Sequence, residues 1–305
     1  MAKKNVTVYM VEYTGVNSFK DILLNSHFHE PFQINQYKTS ELKFVQENNN
    51  GTITGLFVTT QKIGIPPAHK PGEEDDYTAI PLDEGQGLAY PNTILYDIQT
   101  NTMYIESNRV GLNENRICDY FIGLAEGVIN NFSMSLAAVL KSEAYDRVNN
   151  MVLIDSMECR VANPLQLIRN NIERGAIKNF KALASDLNAT KTISVMVKAE
   201  EVEGGITKRE VLKFINIFSH MNVGASFDRK NKLIIKGRKA TANTNEGELV
   251  EEDVNFFLDK IRGTFILEEP NVASHLQPTD RKRGITSVYE QYHNEVANIV
   301  GQNLN

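Results

Sequence analysis

The hydrophobic and polar positions along residues 88–124, LAYPNTILYDIQTNTMYIESNRVGLNENRICDYFIGL, change period, and each period predicts an element. Ile94, Tyr96 and Ile98 alternate with Thr93, Leu95 and Asp97, Gln99 to Thr102 supplies turn residues, and a second alternating run passes through Met103 and Ile105. Period-two alternation interrupted by a turn is the pattern of a β-hairpin. Asn113 can cap the helix that follows, in which Ile117, Phe121, Leu124 and Val128 recur at spacings of four, three and four and so share one buried face.

The same patterns organise the rest of the chain. Val6 to Tyr13 alternates as a strand, and Asn17 to Asn25 reads as a short helix burying Phe19, Ile22 and Leu23. Leu42 to Glu47 and Ile53 to Thr60 form a hairpin about the turn Asn48-Asn49-Asn50-Gly51. Residues 64–87 carry Pro66, Pro67, Pro71 and Pro81 and read as a long surface loop. After the central hairpin and helix, a linking helical region is expected to about Asn150, then a strand from Met151 to Ala162.

In the second half, Asn163-Pro164 opens a helix through Leu165, Ile168 and Ile172, and Thr192 to Lys198 is a strand. Thr207 and Glu210 have capping-box spacing ahead of a helix with Val211, Leu212, Ile215 and Phe218 on one face. Phe227, the turn Asp228-Arg229-Lys230-Asn231 and Leu233 to Lys236 read as a basic hairpin, in which Lys232 and Lys236 share a strand face. An amphipathic helix is expected around Leu249 to Ile261, and a last helix from about Ile285 to Val300 with a Val288, Tyr292, Val296 and Ile299 stripe. This order predicts an α+β protein: a mostly antiparallel, strand-rich domain at residues 1–162 and a smaller α+β domain at 163–305.

The composition, 41% hydrophobic and 23% charged over 305 residues, is that of a soluble globular protein. No apolar run approaches the roughly 20 residues a membrane helix needs, and the opening MAKKNVTVYMVEYTG passes straight into a strand pattern rather than an apolar signal core. Cys118 and Cys159 are the only cysteines, which fits a reducing compartment. A cytoplasmic protein without a cofactor and without direct membrane insertion is expected.

Catalytic constellations are sparse. His27 and His29 flank Phe28 as a His-x-His pair, but neither a further histidine nor a cysteine has confirming zinc spacing, so no metal site is expected. Asp155, Glu158 and Arg160 resemble the acid, acid and base set of metal-dependent nucleases without the usual acid-x-lysine end. Gly204-Gly205 and Gly85-x-Gly87 lack the context of phosphate loops, Ser107 has no nucleophile-elbow frame, and neither cysteine stands beside a base. No catalytic residue is assigned.

The net charge of -6 conceals a segregation. Residues 70–87 hold six acids against Lys70, whereas residues 205–239 hold nine bases against Glu210 and Asp228. Such asymmetry marks a candidate polyanion surface. The expected contacts are Arg229, Lys230, Lys232, Lys236, Arg238 and Lys239, with Arg281, Lys282 and Arg283 as a second patch.

The order FVTTQ at 57–61, an acidic loop, GLAYPNTILYD at 87–97 and NRICDYFIGL at 115–124 resembles the RexA-like and KwaB-like (Kiwa) family of phage exclusion and antiphage defence proteins. That resemblance implies double-stranded DNA binding with little sequence preference, in a sensor or effector that acts with a separately encoded membrane-protein or effector partner. A homodimer is expected as well, since amphipathic helices gather near the C-terminus and one acidic monomer offers a duplex a weak field; the Val288, Tyr292, Val296 and Ile299 stripe either forms that contact or packs on its own domain. Two other readings stand beside this one: a metal-dependent nuclease built on Asp155 and Glu158, and a protein-interaction module that binds no DNA.

Overall fold

The computed structural model describes residues 1–69, 72, 77–162, 182, 185–186, 192–199, 205–220, 232–240, 249–256, 260–268 and 276–303. In chain order the first elements are β1 (Ala2–Thr14), α1 (Phe19–Leu24), a 3-10 turn (Ser26–His29), β2 (Phe32–Asn35), β3 (Lys38–Glu47) and β4 (Thr52–Gln61). Then come β5 (Ala68–His69), β6 (Tyr77–Thr78), β7 (Leu88–Asp97), β8 (Thr102–Glu106), α2 (Glu114–Ala125), β9 (Ser133–Ala138) and α3 (Ser142–Asn149). The remaining elements are β10 (Met151–Ala162), β11 (Thr192–Lys198), α4 (Lys208–His220), β12 (Lys232–Ala240), β13 (Leu249–Asn255), β14 (Arg262–Leu267) and α5 (Pro278–Asn303). The fold is α+β.

Two compact units form, neither a single stretch of chain: one from residues 1–6, 13–134 and 264–290, the other from 7–12, 135–263 and 291–305. In the first, β7, β4, β3 and β2 follow β8 in an antiparallel run. Local chemistry sets its turns. Between β3 and β4, Asn48 N donates to Thr52 O at 2.8 Å and Gly51 takes a φ of +75°, the left-handed region that glycine enters without a Cβ clash. Between β7 and β8, Asp97 accepts from Gln99 N at 2.9 Å and from Thr100 Oγ1 at 2.8 Å, which closes the turn on its own side chain.

Helix α2 begins as its sequence requires, with Asn113 Oδ1 accepting from Arg116 N at 3.0 Å. It buries Ile117, Tyr120 and Phe121 against Phe19, Phe28 and Phe57, with ring centroids 5.1–6.3 Å apart. Burial pushes the Tyr120 phenol up, and its hydroxyl donates to the carbonyls of Phe28 and Glu30, each at 2.9 Å. The helix stops at Ala125, where Gly127 at φ +77° turns the chain. The buried stripe is therefore shorter than the spacing predicts: Leu124 is half-buried and Val128 exposed.

The second unit holds a four-stranded sheet in the order β11-β10-β12-β13, every neighbouring pair antiparallel. Ala144 and Val148 of α3 and Val211 and Ile215 of α4 share one core with Met151, Ile154, Cys159, Leu233, Ile235 and Val254. Both helices thus lie on the same face of the sheet.

Three sequence expectations are corrected here. Residues 133–138, placed in a linking helical region, are strand β9, whose Met134, Leu136 and Ala138 repeat every second residue. Residues 249–255, expected in an amphipathic helix, are strand β13, held by seven cross-strand pairs to β12 from Ile234↔Asn255 to Ala240↔Leu249. Helix α5 starts at Pro278 rather than near Ile285, with proline in the first turn, where its missing N–H is of no consequence. The last-helix stripe is internal: Val288, Val296 and Ile299 are buried and Tyr292 half-buried within the chain. No helix among the described residues is long and apolar enough to cross a membrane.

Candidate nucleic-acid interface

The register of the second sheet decides which charges meet. Directly opposed residues in an antiparallel pair point to the same face. One row runs Lys198, Ser156, Lys236, Asp253, the next Met196, Glu158, Ile234, Asn255, and a third joins Ser194, Arg160 and Lys232. These rows lie opposite the helix-covered core face. The β10 strand carries a bulge between Ile154 and Ser156, which frees Asp155 to reach Arg238.

Of the expected contacts, Arg229 and Lys230 fall outside the described residues. By register, Lys236 occupies the helix-free face and Arg238 joins it two residues on, while of Lys232 only the backbone pairing to Arg160 is described. Lys236 Nζ lies 3.1 Å from Asp253 Oδ2. The Arg238 guanidinium grips Asp155 with two prongs, Nε to Oδ2 at 3.1 Å and Nη2 to Oδ1 at 2.7 Å. Arg160 Nε donates to Ser194 Oγ at 3.2 Å on the same face, and exposed Lys198 closes the row at β11. Sequence reasoning missed Arg160 and Lys198 as members of this surface. Their even spacing along β10 and β11 was available, but only the cross-strand register joins them to β12.

Lys239, three residues from Lys236, turns to the helix side, where its Nζ lies 3.1 Å from Glu252 Oε2. That approach is off a hydrogen-bonding line, so the contact is an ion pair. Glu252 Oε1 accepts from Arg147 Nε of α3 at 2.7 Å, and Arg147 Nη2 donates to Asp253 O at 2.6 Å. Burial, at 9% side-chain exposure, pushes the Glu252 carboxyl up, but Arg147 and Lys239 outweigh it and hold the group below its ordinary range. A depressed carboxyl contributes stability that is complete above its unfolded pKa and lost as pH falls through the folded value. Glu252→Gln should therefore lower stability at pH 7 by about 1–3 kcal/mol. The gap between variant and parent urea midpoints should close on acidification below about pH 4; a gap independent of pH would mean that the loss is steric rather than ionic.

The second patch divides. Arg281 is 5% exposed, with its Nη1 on the fully buried Glu106 carboxylate and its Nε donating to Leu276 O at 2.8 Å. Lys282 Nζ donates to Gln46 Oε1 at 2.7 Å, and Arg283 extends into solvent 3.5 Å from Asp280.

The other constellations have structural partners. His27 Nε2 and His29 Nε2 sit 2.7 and 2.8 Å from the carbonyls of Leu124 and Leu23, so each ring nitrogen donates there rather than offering a lone pair. Among the described residues, no three His, Cys, Asp or Glu side chains assemble where a metal ion could be held. Cys118 and Cys159 are buried free thiols, and burial beside Glu158 pushes the Cys159 thiol far up, leaving it a poor nucleophile. Compared with protein-family models and with curated proteins, the chain matches none.

Proposed function

We propose that the protein binds double-stranded DNA with little sequence preference through the helix-free face of its second sheet. Its role would be in antiphage defence, as a sensor or effector beside a separately encoded partner. The binding half of this reading rests on one observation: Arg160, Lys198, Lys236 and Arg238, from three strands, share one face. A duplex carries a phosphate about every 1.7 Å along its axis, so a flat row of cations can meet it without a base-reading element. The described residues of that face include no aromatic side chain, which favours phosphate contact over stacking on single-stranded bases. The defence half rests on the resemblance of residues 57–124, and a homodimer is proposed with it because two such faces enlarge the footprint.

A second reading, a protein-interaction module, is favoured by the acids on the same face. Asp155, Glu158, Glu251 and Asp253 nearly balance its cations, and mixed charge suits a protein partner. The nuclease reading is weaker, since both Asp155 oxygens are engaged by Arg238.

A gel-shift titration with unrelated duplexes, with and without magnesium, tests the three, and light scattering on the same sample reads the stoichiometry. The expected result is a shift without cleavage, with a slope of log affinity on log salt between about -2 and -4, about -0.9 from each of Arg160 and Lys198 and up to as much again from each of Lys236 and Arg238, which face carboxylates. Changing Arg160, Lys198 and Lys236 together to Gln should abolish the shift at a melting temperature within a few degrees of the parent's. A flat salt response, or strong discrimination between duplexes, would move the interaction module ahead, and magnesium-dependent cleavage would restore the nuclease.

A further inference from the structure

The two central cations of the helix-free face are held by the protein's own carboxylates. Arg238 presents two nitrogens to the two oxygens of Asp155, at 3.1 and 2.7 Å. A guanidinium takes a phosphate with the same two-pronged geometry. Lys236 meets Asp253, its directly opposed neighbour, at 3.1 Å. Both pairs are open to water, with side chains 38–39% and 55–57% exposed. At such exposure an ion pair is a weak and exchangeable contact. The Arg147, Glu252 and Lys239 cluster differs in this respect, because its carboxylate is only 9% exposed. The Asp253 carboxylate is also dispensable for strand pairing, since β13 is paired to β12 along its whole length.

We infer that Asp155 and Asp253 are built-in competitors of phosphate. In the free protein they occupy Arg238 and Lys236, and binding proceeds by exchange of carboxylate for phosphate at both cations. Such exchange selects for dense polyanions. An isolated phosphate or a mononucleotide displaces one carboxylate and remains beside the other, whereas a duplex supplies phosphates to both cations at once. The inference rests on the duplex-binding reading proposed above and adds to it the residues that set affinity and selectivity.

The test is fluorescence anisotropy of a short labelled duplex over a salt series, with the full chain as parent, D155N/D253N, D253N and the control E84Q/E126Q. Glu84 and Glu126 are exposed and are no part of the second sheet, so the control makes the same change in net charge without altering a residue of the face. A unit charge about 7 Å from a phosphate in water changes affinity about threefold. D253N should thus bind about threefold tighter, and D155N/D253N about tenfold tighter. The double variant's salt slope should steepen by up to about 1.8, at about 0.9 for each phosphate no longer opposed by a carboxylate. The affinity of inorganic phosphate itself, read by competition and corrected for each protein's duplex affinity, should rise from the parent to the double variant.

D253N carries the test by itself if Asp155→Asn at the bulge disturbs folding. Parent-like affinity and slope in the variants, or an equal gain in the control, would overturn the inference while leaving duplex binding intact. If neither parent nor variants bind duplex at low salt, duplex binding is wrong and the inference falls with it.

Discussion

Replacing Arg281 by methionine should destabilise the first unit by about 3–5 kcal/mol, because it strands a carboxylate that has no route to water. Glu106 is 0% exposed, and its Oε2 accepts from Thr93 N at 3.1 Å and Thr93 Oγ1 at 2.8 Å. Its Oε1 has Arg281 Nη1. The network continues through the backbone. Glu106 O accepts from Asn92 Nδ2 at 2.9 Å, while the Asn92 amide accepts from Leu112 N and donates to Leu112 O. Removing the guanidinium leaves the charge but not its counter-ion, which costs far more than removing both. The double variant E106Q/R281M, which removes the charge and keeps an acceptor for Thr93, should therefore recover most of the loss. Urea unfolding of both variants reads this directly: a single variant within about 0.5 kcal/mol of the parent would show that the pair contributes like a surface contact. An Arg281 loss of this size would also separate it from Lys282 and Arg283, whose replacement by methionine should be nearly silent.

The fate of that triplet illustrates what a sequence can and cannot disclose. Strands β10 and β11 and the hairpins of the first unit were legible because apolar positions alternate and turns carry Asn and Gly, all within a few residues of one another. Helix α4 was legible because Thr207 precedes a run of period 3.6, and Val211 N donates to Thr207 O at 3.1 Å as that start requires. Strand β13 was not. Its LVEEDVN has spacings compatible with a helix, and what makes it a strand is the backbone pairing to β12 along its whole length, from Ile234↔Asn255 to Ala240↔Leu249. Local preference yields to such tertiary context.

The candidate surface failed to be legible for the same reason. Counting bases along residues 205–239 omits the acids that a neighbouring strand brings opposite them, and omits the alternation that sends Lys239 to the helices and Lys236 to the open face. Likewise the inward turn of Arg281 depends on a carboxylate 175 residues away in the chain. Charge runs read along a chain predict a surface only where the strand partners are already known.

Gly237→Ala should cost the second unit about 2–3 kcal/mol, the upper part of the range for forcing atoms into packed space. Gly237 stands opposite Ile154, beside the bulge that releases Asp155 toward Arg238. A Cβ there would lie 2.7 Å from Met151 Sδ and 3.3 Å from Ile154 Cα, and would press on the Leu153 carbonyl oxygen. The thioether can swing aside, but the two backbone groups belong to the central strand and cannot retreat without opening the β10-β12 ladder. Since β10 and β12 carry Arg160, Lys236 and Arg238, a shift in that ladder also misaligns the proposed contact face. The loss should therefore appear twice, as a lower urea midpoint and as weaker duplex binding at temperatures where the variant is still folded. Gly301→Ala in α5 is the matched control. Nothing lies within 4 Å of a Cβ at that exposed position, and alanine should stabilise the helix by up to about 1 kcal/mol. Equal midpoints for Gly237→Ala and the parent would mean that the bulge absorbs a methyl group, and that the placement of Asp155 does not depend on the missing side chain at 237.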